Sequence, residues 1–142
     1  MFIYTTIIMK KSLFTLICLT LIFSSCKKYE EGPGISLRTK KARVVGEWKM
    51  EKLFIDDEDI LLTPDEKNNK WIFKKDGNYE YQTARYTEIG TWSFDIKREL
   101  IFMTETEMGY STSNKIRRLT NNELWIVFVY RFSKREIHLI KQ

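Results

Sequence analysis

The chain holds two cysteines, and their setting decides what chemistry they can do. Cys26 follows Ser24 and Ser25 at the end of an apolar run, and Lys10 and Lys11 stand before that run. Positive residues, an apolar stretch and small residues at a cleavage point are the order of an export signal. The run from Leu13 to Phe23 is shorter than the ~20 residues that a membrane span needs, and charge resumes at once with Lys27 and Lys28. Met9, directly before the two lysines, makes a conventional start, so Met1 to Ile8 reads as an upstream extension. Cys18 lies inside the apolar run, and residues 45–142 contain no cysteine. No structural disulfide is expected, and the domain must be stabilised by its core alone.

Ile22-Phe23-Ser24-Ser25-Cys26 resembles the lipobox of bacterial lipoproteins, with Phe23 where Leu is usual. The resemblance implies that the Cys26 sulfur is acylated, the peptide is cut before it and the new amino group is acylated too. Each buried CH₂ contributes ~0.8 kcal/mol, so several chains on one residue make a permanent anchor where one would be marginal. Lys27 stands where Asp would signal inner-membrane retention, which implies an outer-membrane lipoprotein of the bacterial cell envelope. Glu30-Glu31 resembles an acidic surface-export pair and reads equally well as part of a soluble tether.

Other reactive residues are sparse. His138 is the only histidine, in the last run of the chain. General-base and metal roles need a constellation, so His138 reads as a surface strand residue. Asp56-Asp57-Glu58-Asp59 lacks the alternating ligands and central glycine of a calcium loop and reads as a solvated turn. Ser111, Thr112 and Ser113 have no visible base, and no glycine-rich phosphate loop is present. No enzyme activity, metal or cofactor is expected. The net charge is +5, and loss of Lys10 and Lys11 with the export segment lowers it by two, to +3. The basic residues are interleaved with acidic ones rather than gathered in a stripe, which argues against nucleic acid.

Aromatics are the distinctive supply of chemistry, at 14% of the chain. Trp48, Tyr79, Tyr81, Trp92, Phe94, Phe102 and Phe128 form the candidate ligand-binding set. Their plain role is core packing. Their functional role would be to line a pocket for a small apolar or sugar-like ligand.

The elements that must position them follow from turn residues and alternation. Residues 1–25 are the signal peptide, 26–44 a tether ending in a short helix capped by Ser36 over Leu37 to Val44, and 45–142 the domain. In the domain, short apolar or alternating runs recur at close to ten-residue spacing, the pattern of an all-β sandwich or barrel. The runs are Gly46–Ile55, Trp71–Phe73, Asn78–Ala84, Ile89–Asp95, Leu100–Thr104, Lys115–Leu119, Leu124–Phe132 and Glu136–Lys141. Their turns are the acidic run, Asp76-Gly77, Lys97-Arg98-Glu99, a looser stretch through Gly109 and Ser111–Ser113, Asn121-Asn122 and Ser133-Lys134-Arg135. Gly90, Trp92 and Phe94 share one face and should point inward, with Thr91 and Ser93 outward. About eight strands joined by short connections make an antiparallel up-and-down meander. Closure into a barrel removes its two open edges.

Gly46-Glu47-Trp48, Phe73-Lys-Lys-Asp76-Gly77-x-Tyr79, Gly90-x-Trp92-x-Phe94 and Leu119-Thr120…Leu124 resemble, in order and spacing, the small lipocalin-like domains of bacterial lipoproteins. The resemblance covers residues 45–142 and implies a closed barrel with a binding interior. It also implies a late basic residue across Trp48, for which Arg131 and Arg135 are the candidates. The 98-residue domain is short for a lipocalin, and a small barrel is often filled by its own side chains. A filled barrel would favour the alternative, an interaction or structural subunit of the envelope. The run Leu124–Tyr130 is apolar on both faces. With Leu124, Ile126 and Phe128 inside, Trp125, Val127 and Val129 form an outer stripe. It needs a cover: the short helix, a partner protein or lipid headgroups.

Overall fold

A computed structural model describes residues 38–142. The export segment, Cys26, Glu30-Glu31 and the Ser36 cap lie outside the described residues. A helix α1 (Lys40–Val44) precedes nine strands: β1 (Gly46–Ile55), β2 (Glu58–Ile60), β3 (Lys70–Phe73), β4 (Asn78–Gln82), β5 (Thr87–Phe94), β6 (Leu100–Glu105), β7 (Ser111–Leu119), β8 (Glu123–Tyr130) and β9 (Ser133–Lys141). A second helix, α2 (Pro64–Asn68), lies between β2 and β3. Every strand pairing is antiparallel, and β1 pairs with β9 from Trp48↔Lys141 to Ile55↔Arg135. Eight strands therefore close a barrel. The short β2 folds back on β1 beyond the point where β3 leaves it.

Alternation sets the inside. Trp92 is buried and Phe94 packs against the core, while Thr91 and Ser93 point out. Two bulges re-phase it. Glu51 is the extra residue of β1, so Met50 and Leu53 both face inward. Arg117 is the extra residue of β7, so Ile116 and Leu119 do the same. A bulge places two residues opposite one and bends the strand, as barrel closure requires.

Several boundaries differ from the sequence expectation. Ser111–Ser113 belong to β7, and the connection before them is the five-residue stretch 106–110. Ser133-Lys134-Arg135 belong to β9, and the turn is Arg131-Phe132, both at positive φ. Asp56-Asp57 form the same kind of turn, and Glu58 and Asp59 continue into β2. Paired positive φ suits the twist of a hairpin but normally selects Asn or Gly. Arg131-Phe132 therefore carries no turn signature. Helix α2 was not expected, although Thr63, its cap, and Glu66 form a capping box.

The barrel has a closed end and an open end. The β3–β4, β5–β6 and β7–β8 turns, α1 and the C-terminus meet at the closed end. There Arg43 Nη1 donates to Leu119 O (2.7 Å), Trp48 Nε1 to Val44 O (2.7 Å) and Trp92 Nε1 to Lys74 O (3.0 Å). Helix α1 is shorter than expected, is capped by Thr39 and plugs this end with the fully buried Val44. It does not cover the outer face of β8. The basic residue across Trp48 is Lys141, with Nζ 4.8 Å from the ring centroid. Arg131 sits in a turn at the opposite end, and Arg135 rests on Tyr130.

Candidate functional site

Trp48, Phe73, Trp92, Ile101, Ile116, Leu119, Leu124, Ile126 and Leu139 fill the half of the barrel toward the closed end. Phe73 and Trp92 meet edge to face at 5.5 Å, and Trp92 and Phe94 at 5.7 Å. Met50, Leu53, Leu62, Trp71, Met103 and Ile137 carry the core on toward the other end. At the mouth lies a cleft of about 860 Å³, lined by Tyr79, Glu88, Met103, Glu105, Tyr110, Thr112, Tyr130 and Arg131 among others.

Each wall of the cleft is set by strand parity. Glu88 lies on the same face of β5 as Gly90 and Trp92, and Glu105 on the same face of β6 as Ile101 and Met103. Tyr79 is buried at its base and donates from Oη to Glu88 Oε1 at 2.5 Å. Gly90 makes room for that phenol: a Cβ at Gly90 would lie 2.4 Å from Tyr79 Cε1. Glu105 is held by the backbone N–H groups of Glu107 (2.6 Å) and Met108 (2.7 Å) in the β6–β7 turn. On the far wall, the guanidinium carbons of Arg131 and Arg135 lie 5.3 Å and 4.8 Å from the Tyr130 ring.

Burial pushes the Tyr79 phenol well above its ordinary range, and the nearby Glu88 and Glu105 carboxylates push it the same way. Tyr81 is also raised, by burial and then by Tyr86, against a hydrogen bond from Asn69 (2.9 Å). Among the described residues no three His, Cys, Asp or Glu side chains converge as metal ligands would.

The seven expected binding residues are dispersed. Tyr79 lines the cleft. Trp48, Trp92 and Phe94 lie in the packed half. Tyr81 packs on Trp71 at 4.3 Å, and Phe128 packs against the core. Phe102 points outward and is 41% exposed, because its neighbours Ile101 and Met103 take the inward positions of β6. The polar and carboxylate lining was missed. Glu88, two residues before Gly90 on the inward face already assigned to Trp92, was the available signal.

A second cluster lies on the outside. Trp125, Val127 and Val129 face out from β8 as expected, but their neighbours cover much of the stripe. The Trp125 ring stacks on His138 at 3.8 Å and 4°, Arg118 lies 5.0 Å over its other side, and Phe54 is 5.1 Å from His138. His138 faces outward yet is buried, so it is not a free surface residue. Its Nε2 is 2.8 Å from Glu136 Oε1, and Arg117 Nη1 donates to Glu136 Oε2 at 2.9 Å. Glu136, two residues earlier on the same face, was the sequence signal for that pair. Val129 remains exposed.

No protein-family model, curated protein or solved structure matches the chain.

Proposed function

We propose that the chain is an envelope-anchored, lipocalin-like binding module that takes a small molecule at the mouth of its barrel. One observation carries this reading: the barrel is packed toward α1 but opens into a cleft of about 860 Å³ at the other end. That volume suits a small organic ligand. The lining offers tyrosine rings and two methionines, and its Tyr79–Glu88 pair is buried at the base of the cleft with the phenol held protonated, so binding fits better than catalysis. Helix α1 lies at the closed end, opposite the mouth of the cleft. The interaction-subunit reading is weaker, because Trp125 is sandwiched by the protein's own His138 and Arg118.

Two experiments test this. The full chain should bind the neutral dye Nile red saturably, and Thr112→Trp, which fills the cleft from β7, should abolish that binding without unfolding the protein. Equal binding by both proteins overturns the cleft assignment. Cys26→Ser should release the protein from membranes on cell fractionation, and unchanged partition overturns the anchor.

A further inference from the structure

The cleft is not a plain apolar pocket. We infer that its ligand is an organic ammonium ion, an amine carried on an aromatic or short apolar body, with the charge directed to the β5–β6 wall. The inference rests on the binding reading above and adds the ligand's chemistry.

Three carboxylates, Glu88, Glu105 and Glu107, line the cleft against one guanidinium, that of Arg131. With Arg135 behind Tyr130 counted as well, the acids still outnumber the bases. The two sets are also separated. Glu88 and Glu105 belong to neighbouring strands β5 and β6, where Gly90 pairs with Glu105. Arg131 and Arg135 flank Tyr130 at the β8–β9 hairpin, with β7 standing between that hairpin and β6. An anion entering beside Glu88 and Glu105 would be repelled in a partly desolvated site, where charges act more strongly than in water. A cation there would meet both carboxylates.

Tyr86 and Tyr110, exposed at the mouth, supply the second element of recognition. The negative face of an aromatic ring attracts a cation, most strongly when the site excludes water. Tyr130 already carries two guanidinium groups on its ring. The same two carboxylates, after burial, disfavour a phenolate at Tyr79. Since the carboxylates do not converge as metal ligands would, a bulkier cation with an apolar body fits better than a metal ion.

The test compares three probes of similar shape on the full chain in lipid nanodiscs, by calorimetric titration. Phenethylamine is the cation, 2-phenylethanol the neutral analogue and 3-phenylpropanoate the anion. Phenethylamine should bind about tenfold more tightly than either of the others, as expected for one partly screened charge pair. Glu88→Gln keeps the side-chain volume and an acceptor for Tyr79, and should remove most of that preference. Arg131→Asn, which tolerates the positive φ of position 131, should tighten phenethylamine binding. Equal binding of the three probes overturns the ammonium assignment and leaves the cleft as a general binding site. Tighter binding of 3-phenylpropanoate overturns it in favour of the Arg131 edge. No binding of any probe, together with no Nile red binding, overturns the binding reading itself.

Discussion

Lys141 lies over Trp48 and joins the last strand to the first. Its Nζ is 4.8 Å from the indole centroid and donates to Arg43 O at 2.8 Å, so one ammonium ties β9, β1 and α1 together at the closed end. Gly46 permits the arrangement. It has φ +141, and a Cβ there would lie 2.4 Å from Lys141 Cε. The Gly46-x-Trp48 pair thus has a physical meaning. The glycine leaves room for the lysine stem, and the tryptophan receives its head.

Gly46→Ala should destabilise the protein by about 1–3 kcal/mol, the usual cost of a strained backbone position. Lys141→Ala should cost about 1–2 kcal/mol through the lost hydrogen bond and cation–π contact. In the Lys141→Ala background the clash at Gly46→Ala disappears, while the strain of φ +141 remains. The double mutant should therefore lose less than the sum of the single mutants in urea unfolding. Strict additivity would argue that the two residues are not coupled.

Position parity in β5 and β6 gives a contrast. Trp92→Ala should cost on the order of 3–5 kcal/mol, as truncation of a buried aromatic does. Phe102→Ala, on the exposed face of the adjoining strand, should cost less than about 1 kcal/mol. Comparable losses in denaturant midpoints would mean that the inward face of β6 has been misassigned.

Alkaline stability follows from the buried phenols. Tyr79 and Tyr81 are raised above the ordinary 10.0. Above that pH the unfolded chain loses phenolic protons that the folded protein keeps. Their stabilising contribution is thus full below pH 10.0 and is lost as pH rises past it. Burial lowers Lys141 below 10.5, which acts in the opposite sense: stability gains as pH rises toward 10.5. Beyond 10.5 the phenols act together with the exposed Lys74, which its hydrogen bond to Glu80 raises above its ordinary value, and stability should fall. Tyr79→Phe should flatten this fall, measured as melting temperature against pH. A slope equal to wild type would remove Tyr79 as its source.

The outer stack at the barrel seam should behave as a unit. Trp125→Ala and His138→Ala should each destabilise the fold, with a coupling energy of ~0.5–1.5 kcal/mol, the range for paired rings. A double-mutant cycle measures it, and a coupling near zero would show that the 3.8 Å stack contributes nothing beyond burial.

Local pattern marks eight of the nine strands, the antiparallel meander and the inward side of most strands; the short β2 is the one it does not show. These follow from period-two alternation and short turns, which are local properties. Trp92 and Phe94 inside with Thr91 and Ser93 outside needed nothing more, and neither did the Asp76-Gly77 turn. Tertiary structure decided everything that depends on what lies across the barrel. The bulges at Glu51 and Arg117 re-phase β1 and β7 because closure bends those strands, and no local signal marks them. The Arg131-Phe132 turn adopts positive φ because the hairpin's twist demands it, against the preference of both residues. Lys141, rather than Arg131 or Arg135, meets Trp48 because β9 pairs with β1 in a register fixed only on closure. The division of the aromatics between a packed half and an open cleft is likewise global. Trp48 and Tyr79 are both inward-facing aromatics in the sequence. Helix α1 plugs the end that holds Trp48, while Tyr79 lies at the base of a cleft whose mouth carries carboxylates.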